Sequence, residues 1–372
     1  MTIAIMEFLG LLLYECLVAF LMGAFHEMKP QRKNIYLIFA LLPLALMTMF
    51  HGETVGNDTG EYVNLFWRCE YEDYAQILEE SRFEKGYVTF VSVCAYLFDN
   101  VQSIFIAEGL FLYVALGRWL KKYCKSPGLF SIFMVAALLM DGWMSMQRQA
   151  LAEGVLFFAF DALVKKKKLK FLVLTLLAAQ FHNAAYVFLL AYPAVYFVNS
   201  RNEKNNNLLR FNVLAVAGCA SALVLTRVLL GVLISFFPIY SYYEGGAYMD
   251  GETRIAIVLK IAMYALMLLI PYVLNRRIYL DNYLSQLLYK LSVVNLILVI
   301  LASQATILSR LAGVYSMYAF LLYTGCVGRL KYQGNRPIVL VATVLLFALY
   351  GVVITVYRTP QWQTTYPFSW CF

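Results

Sequence analysis

The chain has 372 residues, 62% hydrophobic and 14% charged, with a mean hydropathy of +0.68 and a formal net charge of +8. Soluble domains carry about 45–50% apolar and about 25% charged residues, so there is too little polar surface for a soluble enzyme, a disordered protein or a fibre. Runs such as Val344–Tyr357 and Ile255–Leu274 are apolar on nearly all sides. That excludes the alternating strands of an outer-membrane barrel and predicts an all-α, polytopic membrane protein.

Most of the 30 basic residues fall in six clusters. These are Lys29/Arg32/Lys33, Arg118/Lys121/Lys122/Lys125, Lys165 to Lys168 with Lys170, Arg201/Lys204/Arg210, Arg276/Arg277/Lys290 and Arg329/Lys331/Arg336. Such clusters mark the cytoplasmic face, so the net charge encodes orientation rather than nucleic-acid binding. The Lys165–Lys168 run is a topology anchor near anionic lipid.

In chain order, Ile3–Phe25 is a retained span, since no basic segment precedes it as in a cleavable leader. Ile35–Phe50 runs outward. Residues 51–100 form a large extracytoplasmic loop with many acids and an interfacial helix at Tyr87–Phe98. Val101–Gly117, Phe130–Met140, Ala150–Val164, Phe171–Phe181 and Ala184–Val198 then alternate in direction. Phe211–Phe237, Ile255–Leu274, Leu291–Ala302, Leu311–Gly328 and Ile338–Tyr357 complete about twelve spans, both termini outside. The whole, 1–372, reads as one transmembrane domain.

Two stretches are too short for what the charges ask of them. A full crossing needs about 20 helical residues, yet 171–198 must cross twice to keep Arg201 and Lys204 inside. Its turn, at His182 and Asn183, then lies below the outer surface, in protein or water, because lipid cannot solvate it. A single tilted helix is the alternative. The stretch 130–164 repeats the pattern, with Gln147-Arg148-Gln149 near its turn. Both point to an outward-facing cavity floored by Arg148 and His182.

Ionisable groups near the bilayer are costly and are functional candidates by default. Arg148, His182, Arg254, Arg310 and Arg358 each sit at an expected outer turn. Isolated arginines gathered in one cavity suit an anion, because the guanidinium stays charged and grips phosphate with a planar fork. A carboxylate or histidine beside them can take a proton from a hydroxyl. Glu153, just over one turn after Arg148, is a candidate partner for it. Glu70, Glu72, Asp73, Glu79 and Glu80 read as a solvated face. Outer-loop aromatics suit either sugar stacking or an interfacial belt.

The sequence lacks Asp-x-Asp, a Walker loop, His-x-x-x-Asp and GxSxG. This argues against metal-held sugar nucleotides, ATP drive, acyl transfer and serine hydrolysis. No cofactor is expected. The seven cysteines show no CxxC spacing and read as packing residues; Cys69 and Cys371 are not expected to pair.

Gly56-Asn57-Asp58-Thr59-Gly60-Glu61-Tyr62, Glu84-Lys85-Gly86-Tyr87, Arg148-Gln149-Ala150-Leu151-Ala152 and Phe181-His182-Asn183-Ala184 follow in order. Together they resemble the corresponding elements of EpsG-like, Wzy-type polysaccharide polymerases; Arg310 and Tyr315 resemble a looser later element. Asn183-Ala184 departs from the Lys/Thr-Ser frequent beside the histidine in that family. The resemblance implies a GT-C-like glycosyltransferase. It would join undecaprenyl-pyrophosphate-linked repeat units, donor and acceptor, at the outer face of the membrane, into capsular polysaccharide or exopolysaccharide. It implies catalytic roles for His182, Asp58, Glu84 and Arg148. It implies substrate binding by Arg148, Arg310, Arg254, Gln149, Tyr62, Glu61 and Tyr315. A chain-length regulator and a flippase are the implied partners, besides membrane lipids. The base is open among His182, Asp58 and Glu84. A lipid-linked glycan ligase, a transporter, or an outer-face sugar or acyl transferase are the alternatives.

Overall fold

A computed structural model describes residues 2–197, 206–236, 254–279, 282–329, 336–358 and 365–372. Among the described residues the regular elements are helices, with one isolated bridge between His51 and Trp370. The chain divides into two compact units, Met1–Tyr186 with Val327–Phe372, and Val187–Cys326.

The first unit contains α1 (Thr2–Leu21), α2 (Pro30–Phe50), α3 (Thr59–Tyr71), α4 (Tyr74–Glu80), α5 (Lys85–Leu97) and α6 (Gln102–Tyr123). It continues with α7 (Pro127–Ala136), α8 (Leu139–Ser145), α9 (Gln147–Val164) and α10 (Lys168–Ala179). Pro30 and Pro127 open their helices where no backbone N–H is needed. The Asp73 carboxylate caps α4 by accepting from Ala75 N at 3.1 Å. Leu138, at φ 55°, breaks α7 from α8, and the two are bent by 55°.

Helix α2 packs on α6, α6 on α9, and α9 on α10. Trp119 of α6 is fully buried against Phe130, Phe157 and Phe160. Lipid tails are as apolar as these rings, so such contacts hold helices together by close packing rather than by escape from water. Bases of the expected cytoplasmic clusters also fasten the bundle. Asp161 of α9 pairs with Lys122 and, at 2.8 Å, Lys165, and accepts from the Tyr123 hydroxyl at 2.6 Å. Lys33 Nζ donates to the carbonyls of Lys121, at 2.8 Å, and Cys124.

Residues 365–372 return to this unit. Asp141 accepts from the N–H and hydroxyl of Thr365 at 2.8 and 2.5 Å, and Glu7 accepts from Phe368 N at 2.7 Å. Gly52 N donates to Ser369 O and Cys371 N to Phe50 O. Tyr366 lies buried, edge-on to Phe8. Helix α17 (Arg336–Arg358) packs on α1 and α7.

A 3₁₀ helix, Asn183–Leu190, leads into the second unit, which holds α11 (Ala191–Tyr196), α12 (Asn206–Val224), α13 (Thr226–Phe236), α14 (Ile255–Tyr279), α15 (Tyr283–Leu301) and α16 (Ser309–Val327). Helix α14 packs on α15, and Tyr315 is buried against Phe188 and Tyr318. Arg201, Lys204 and Lys331, and the span ends at Val198 and Phe237, lie outside the described residues, as do the side chains of Arg227, Arg276, Arg277 and Arg336.

Six helices among the described residues are long and apolar enough to cross a membrane, or eight if each of two bent pairs is one span. This is a multi-pass membrane protein. The count is lower than the twelve segments read from charge alternation, because several of those segments are short or interrupted here. Helix α10 ends at Ala179 and the chain breaks before Asn183. The single tilted helix considered for 171–198 is absent. All seven cysteines are free, as expected, with Ser92 Oγ donating to Cys69 Sγ at 3.2 Å.

Candidate active site

Four short segments of the first unit meet around the start of α9. The segment before α3 turns at Gly56, whose φ of +88° favours glycine; a Cβ there would meet Met144 O at 2.5 Å. This seats Asp58 at the N-cap of α3 and turns Tyr62 into the protein, edge-on to Tyr87 at 5.6 Å. Helix α5 abuts the break after α10: Tyr87 N donates to Gln180 O at 3.1 Å, and a Cβ on Gly86 would lie 2.6 Å from Gln180 Cβ. Only a residue without a side chain permits that approach.

Glu84, the N-cap of α5, joins the remaining parts. Oε2 pairs with Arg148 Nη1, and Oε1 accepts from Asn183 N at 2.8 Å. One carboxylate therefore ties the start of α9 to the residue following His182. The Arg148 Cζ lies 4.5, 5.9 and 6.0 Å from the ring centroids of Phe83, Tyr87 and Tyr62. Each ring face attracts the cation. A guanidinium in the first turn of a helix sits at the unfavourable end of the dipole. Burial further opposes its charge, yet Glu84 and the two phenols outweigh burial and hold its pKa above the ordinary value. Arg148 remains a cation, with its Nε buried and without a hydrogen-bond partner among the described residues. Burial pushes the Tyr62 and Tyr87 phenols up, against the pull of Arg148, so neither is a base near neutral pH.

His182 is buried. Its Nδ1 accepts from Ala184 N at 3.1 Å. An N–H pointed at Nδ1 requires a lone pair there, so the neutral ring carries its proton on Nε2.

The geometry thus brings Tyr62, Glu84, Arg148 and the His182 turn together, with Asp58 half-buried four residues before Tyr62. Glu153 does not pair with Arg148: it accepts from Trp143 Nε1 at 2.8 Å and from Gln149 Nε2 at 3.0 Å. Gln149 is buried in that network instead of facing the Arg148 cage. Glu61 pairs with Arg82 at 3.0 Å on the exposed side of α3. Arg254, Arg310 and Tyr315 belong to the second unit, where the Tyr315 hydroxyl donates to Val187 O at 2.8 Å.

Two residues of this neighbourhood, Phe83 and Glu108, were not singled out from the sequence. Phe83 directly precedes the Glu84 motif and, with Tyr87 of that motif, completes the cage. Glu108 of α6 is buried, and its carboxyl group faces the buried Tyr87 hydroxyl. A lone acid inside the apolar run Val101–Gly117 was its readable signal.

A model of the EpsG family matches residues 34–370. The chain belongs to the EpsG family. No curated protein and no solved structure matches it. The matched residues include every member of the Arg148–Glu84–His182 constellation, so the site lies within the part of the chain that defines this EpsG-family protein.

Proposed function

We propose that this EpsG-family protein is a Wzy-type glycosyltransferase of GT-C-like architecture, spanning the bacterial plasma membrane about twelve times. It joins lipid-pyrophosphate-linked repeat units, with undecaprenyl as the carrier lipid, into capsular polysaccharide or exopolysaccharide at the outer face. A flippase supplies its substrate and a chain-length regulator works beside it. The observation that carries this reading is the caged Arg148, tied through Glu84 to the turn that bears His182.

The acceptor hydroxyl oxygen attacks the anomeric carbon. The bond from that carbon to the pyrophosphate oxygen breaks, and the lipid pyrophosphate leaves with its extra negative charge. Arg148 stabilises that charge, which is larger in the transition state than in the ground state. The His182 Nε2–H donates to a departing phosphate oxygen. Glu84 positions both groups, since each of its oxygens is already engaged. Asp58, at the N-cap of α3 four residues before Tyr62, takes the hydroxyl proton. Arg254 and Arg310, on the second unit, are further cations suited to phosphate, whereas Tyr315 is a buried packing residue of that unit.

The test is incubation of the purified protein with lipid-linked repeat units and separation of the products on a gel. The wild type yields a ladder of polymer lengths. Arg148→Ala, still folded and in the membrane fraction, loses about 10²–10³ in rate. A normal ladder from that variant refutes the assignment.

A further inference from the structure

Helix α3 carries Tyr62 against Arg148 and then, farther along, a second aromatic feature that the chemistry above does not use. Trp67 and Tyr71, at i and i+4, have ring planes within 14° of parallel and centroids 6.4 Å apart. Trp67 is fixed edge-on against Phe66 at 5.3 Å and 88°. Tyr71 is 76% exposed and Trp67 37%. At 1.5 Å rise and about 100° per residue, the pair lies about 7.5–13.5 Å beyond Tyr62 along the helix axis and about 140–180° round it, on the outward face of α3. The corner behind it is stiffened by Arg68, which holds Glu72 at 2.7 Å and Glu80 at 2.9 Å.

Two explanations compete for exposed rings beside a membrane. Interfacial anchoring places Trp and Tyr among lipid headgroups. The surroundings of this pair oppose that, because Glu70, Glu72, Asp73 and Glu80 outnumber the one paired cation there, Arg68, and anionic headgroups repel the net negative charge. Helix α5 offers the contrast: its exposed stripe of Val93, Tyr96 and Leu97 is uncharged and suits lipid. Parallel aromatic faces among carboxylates match a carbohydrate instead. The C–H face of a pyranose stacks on a ring, and its hydroxyls donate to the acids. The same acids repel a glycan bearing carboxylates or phosphates.

We infer that Trp67 and Tyr71 form a binding platform for an uncharged stretch of glycan, holding the chain on the outward face of α3 after it has passed round that helix from the Arg148 site. This rests on the polymerase reading of that site and adds a holding surface for its product. A platform of this kind keeps a growing chain engaged between additions and so lengthens the polymer.

The experiment uses purified full-length protein and oligosaccharides released by partial hydrolysis from the polysaccharide that the producing cells secrete. Binding is followed by saturation-transfer NMR. The wild type binds neutral fragments, and Trp67→Ala and Tyr71→Ala each weaken binding about fivefold to tenfold. Trp67→Phe, which keeps a ring face, retains most of the affinity. Tyr96→Ala, the exposed control on α5, leaves it unchanged. Cells carrying Trp67→Ala with Tyr71→Ala make shorter polymer. Equal binding by wild type and both alanine variants overturns the inference, as does quenching of Trp67 fluorescence by brominated lipid, or the absence of binding in the wild type. A wild type that binds through these rings yet gives no ladder from lipid-linked units overturns the polymerase reading alone. A ladder with ring-independent binding overturns only the platform.

Discussion

Removing Glu84 strands two groups at once, and the structure gives the size of the effect. The Arg148 and Glu84 side chains are 12% and 10% exposed. Breaking a buried ion pair by deleting one partner costs about 3–5 kcal/mol, because the survivor keeps its desolvation without its counter-charge. Glu84→Ala also leaves the Asn183 N–H without its acceptor, about 1–3 kcal/mol more. Deleting both residues removes the uncompensated charge. The double variant Glu84→Ala/Arg148→Ala should therefore be less destabilised than the two singles summed, by about 3 kcal/mol. At about 2–4 °C per kcal/mol for a unit of this size, that is roughly 6–12 °C in the melting midpoint. Scanning fluorimetry of the three purified variants against wild type measures it. A midpoint loss in the double variant equal to the sum of the single losses refutes the view that this pair is a coupled, buried unit. The double variant stays inactive in the ladder assay, since the anion-binding cation is gone.

His182→Gln should retain more transfer activity than His182→Ala, which is expected to lose about 10²-fold, because the glutamine amide still supplies an N–H; equal loss in both identifies the ring as a base instead. Gly86→Ala should cost about 1–3 kcal/mol through overpacking against Gln180, read as a lower melting midpoint; an unchanged midpoint shows that α5 shifts freely. His51 lies past the end of α2, accepts at Nε2 from Gln147 at 2.6 Å and donates from Nδ1 to Gly52 O at 3.0 Å. Burial holds it below its ordinary 6.5, against the opposing Gly52 carbonyl. The unfolded chain therefore takes up the proton first as pH falls. Stability drops on descending through 6.5 by at most about 1.4 kcal/mol per pH unit, and His51→Gln should flatten that acid limb of midpoint against pH.

The site was more legible in the sequence than the span count. Tyr62, Glu84, Arg148 and His182 occupy short motifs in a fixed order, and the structure gathers all four in one unit. The expected break near His182 is present because 171–198 has too few residues for two full helices. Partner choice was less legible. Glu153 is the nearer acid along α9, but Trp143 and Gln149 satisfy it, while the acid that meets Arg148 lies 64 positions earlier. Spacing along one helix carries no information about a neighbour on another. Periodicity likewise counted apolar runs without registering a single left-handed residue such as Leu138, which divides one run into two helices. Phe83 escaped notice for a related reason: an aromatic in an apolar chain is unremarkable until a cation is seen to sit 4.5 Å from its ring centroid.

The first unit is assembled from two separate stretches, and 365–372 thread between α1, α2 and α8. During synthesis the ribosome must produce everything from 187 to 326 before that closing segment exists, a wait of roughly 10–30 s at about 5–20 residues per second. For that interval Asp141 lacks its bonds from Thr365, Glu7 lacks the Phe368 N–H, and Phe8 has no Tyr366 beside it. The nascent bundle thus carries an open seam that quality-control proteases can sample, and a lesion in these eight late residues acts on helices that were inserted first.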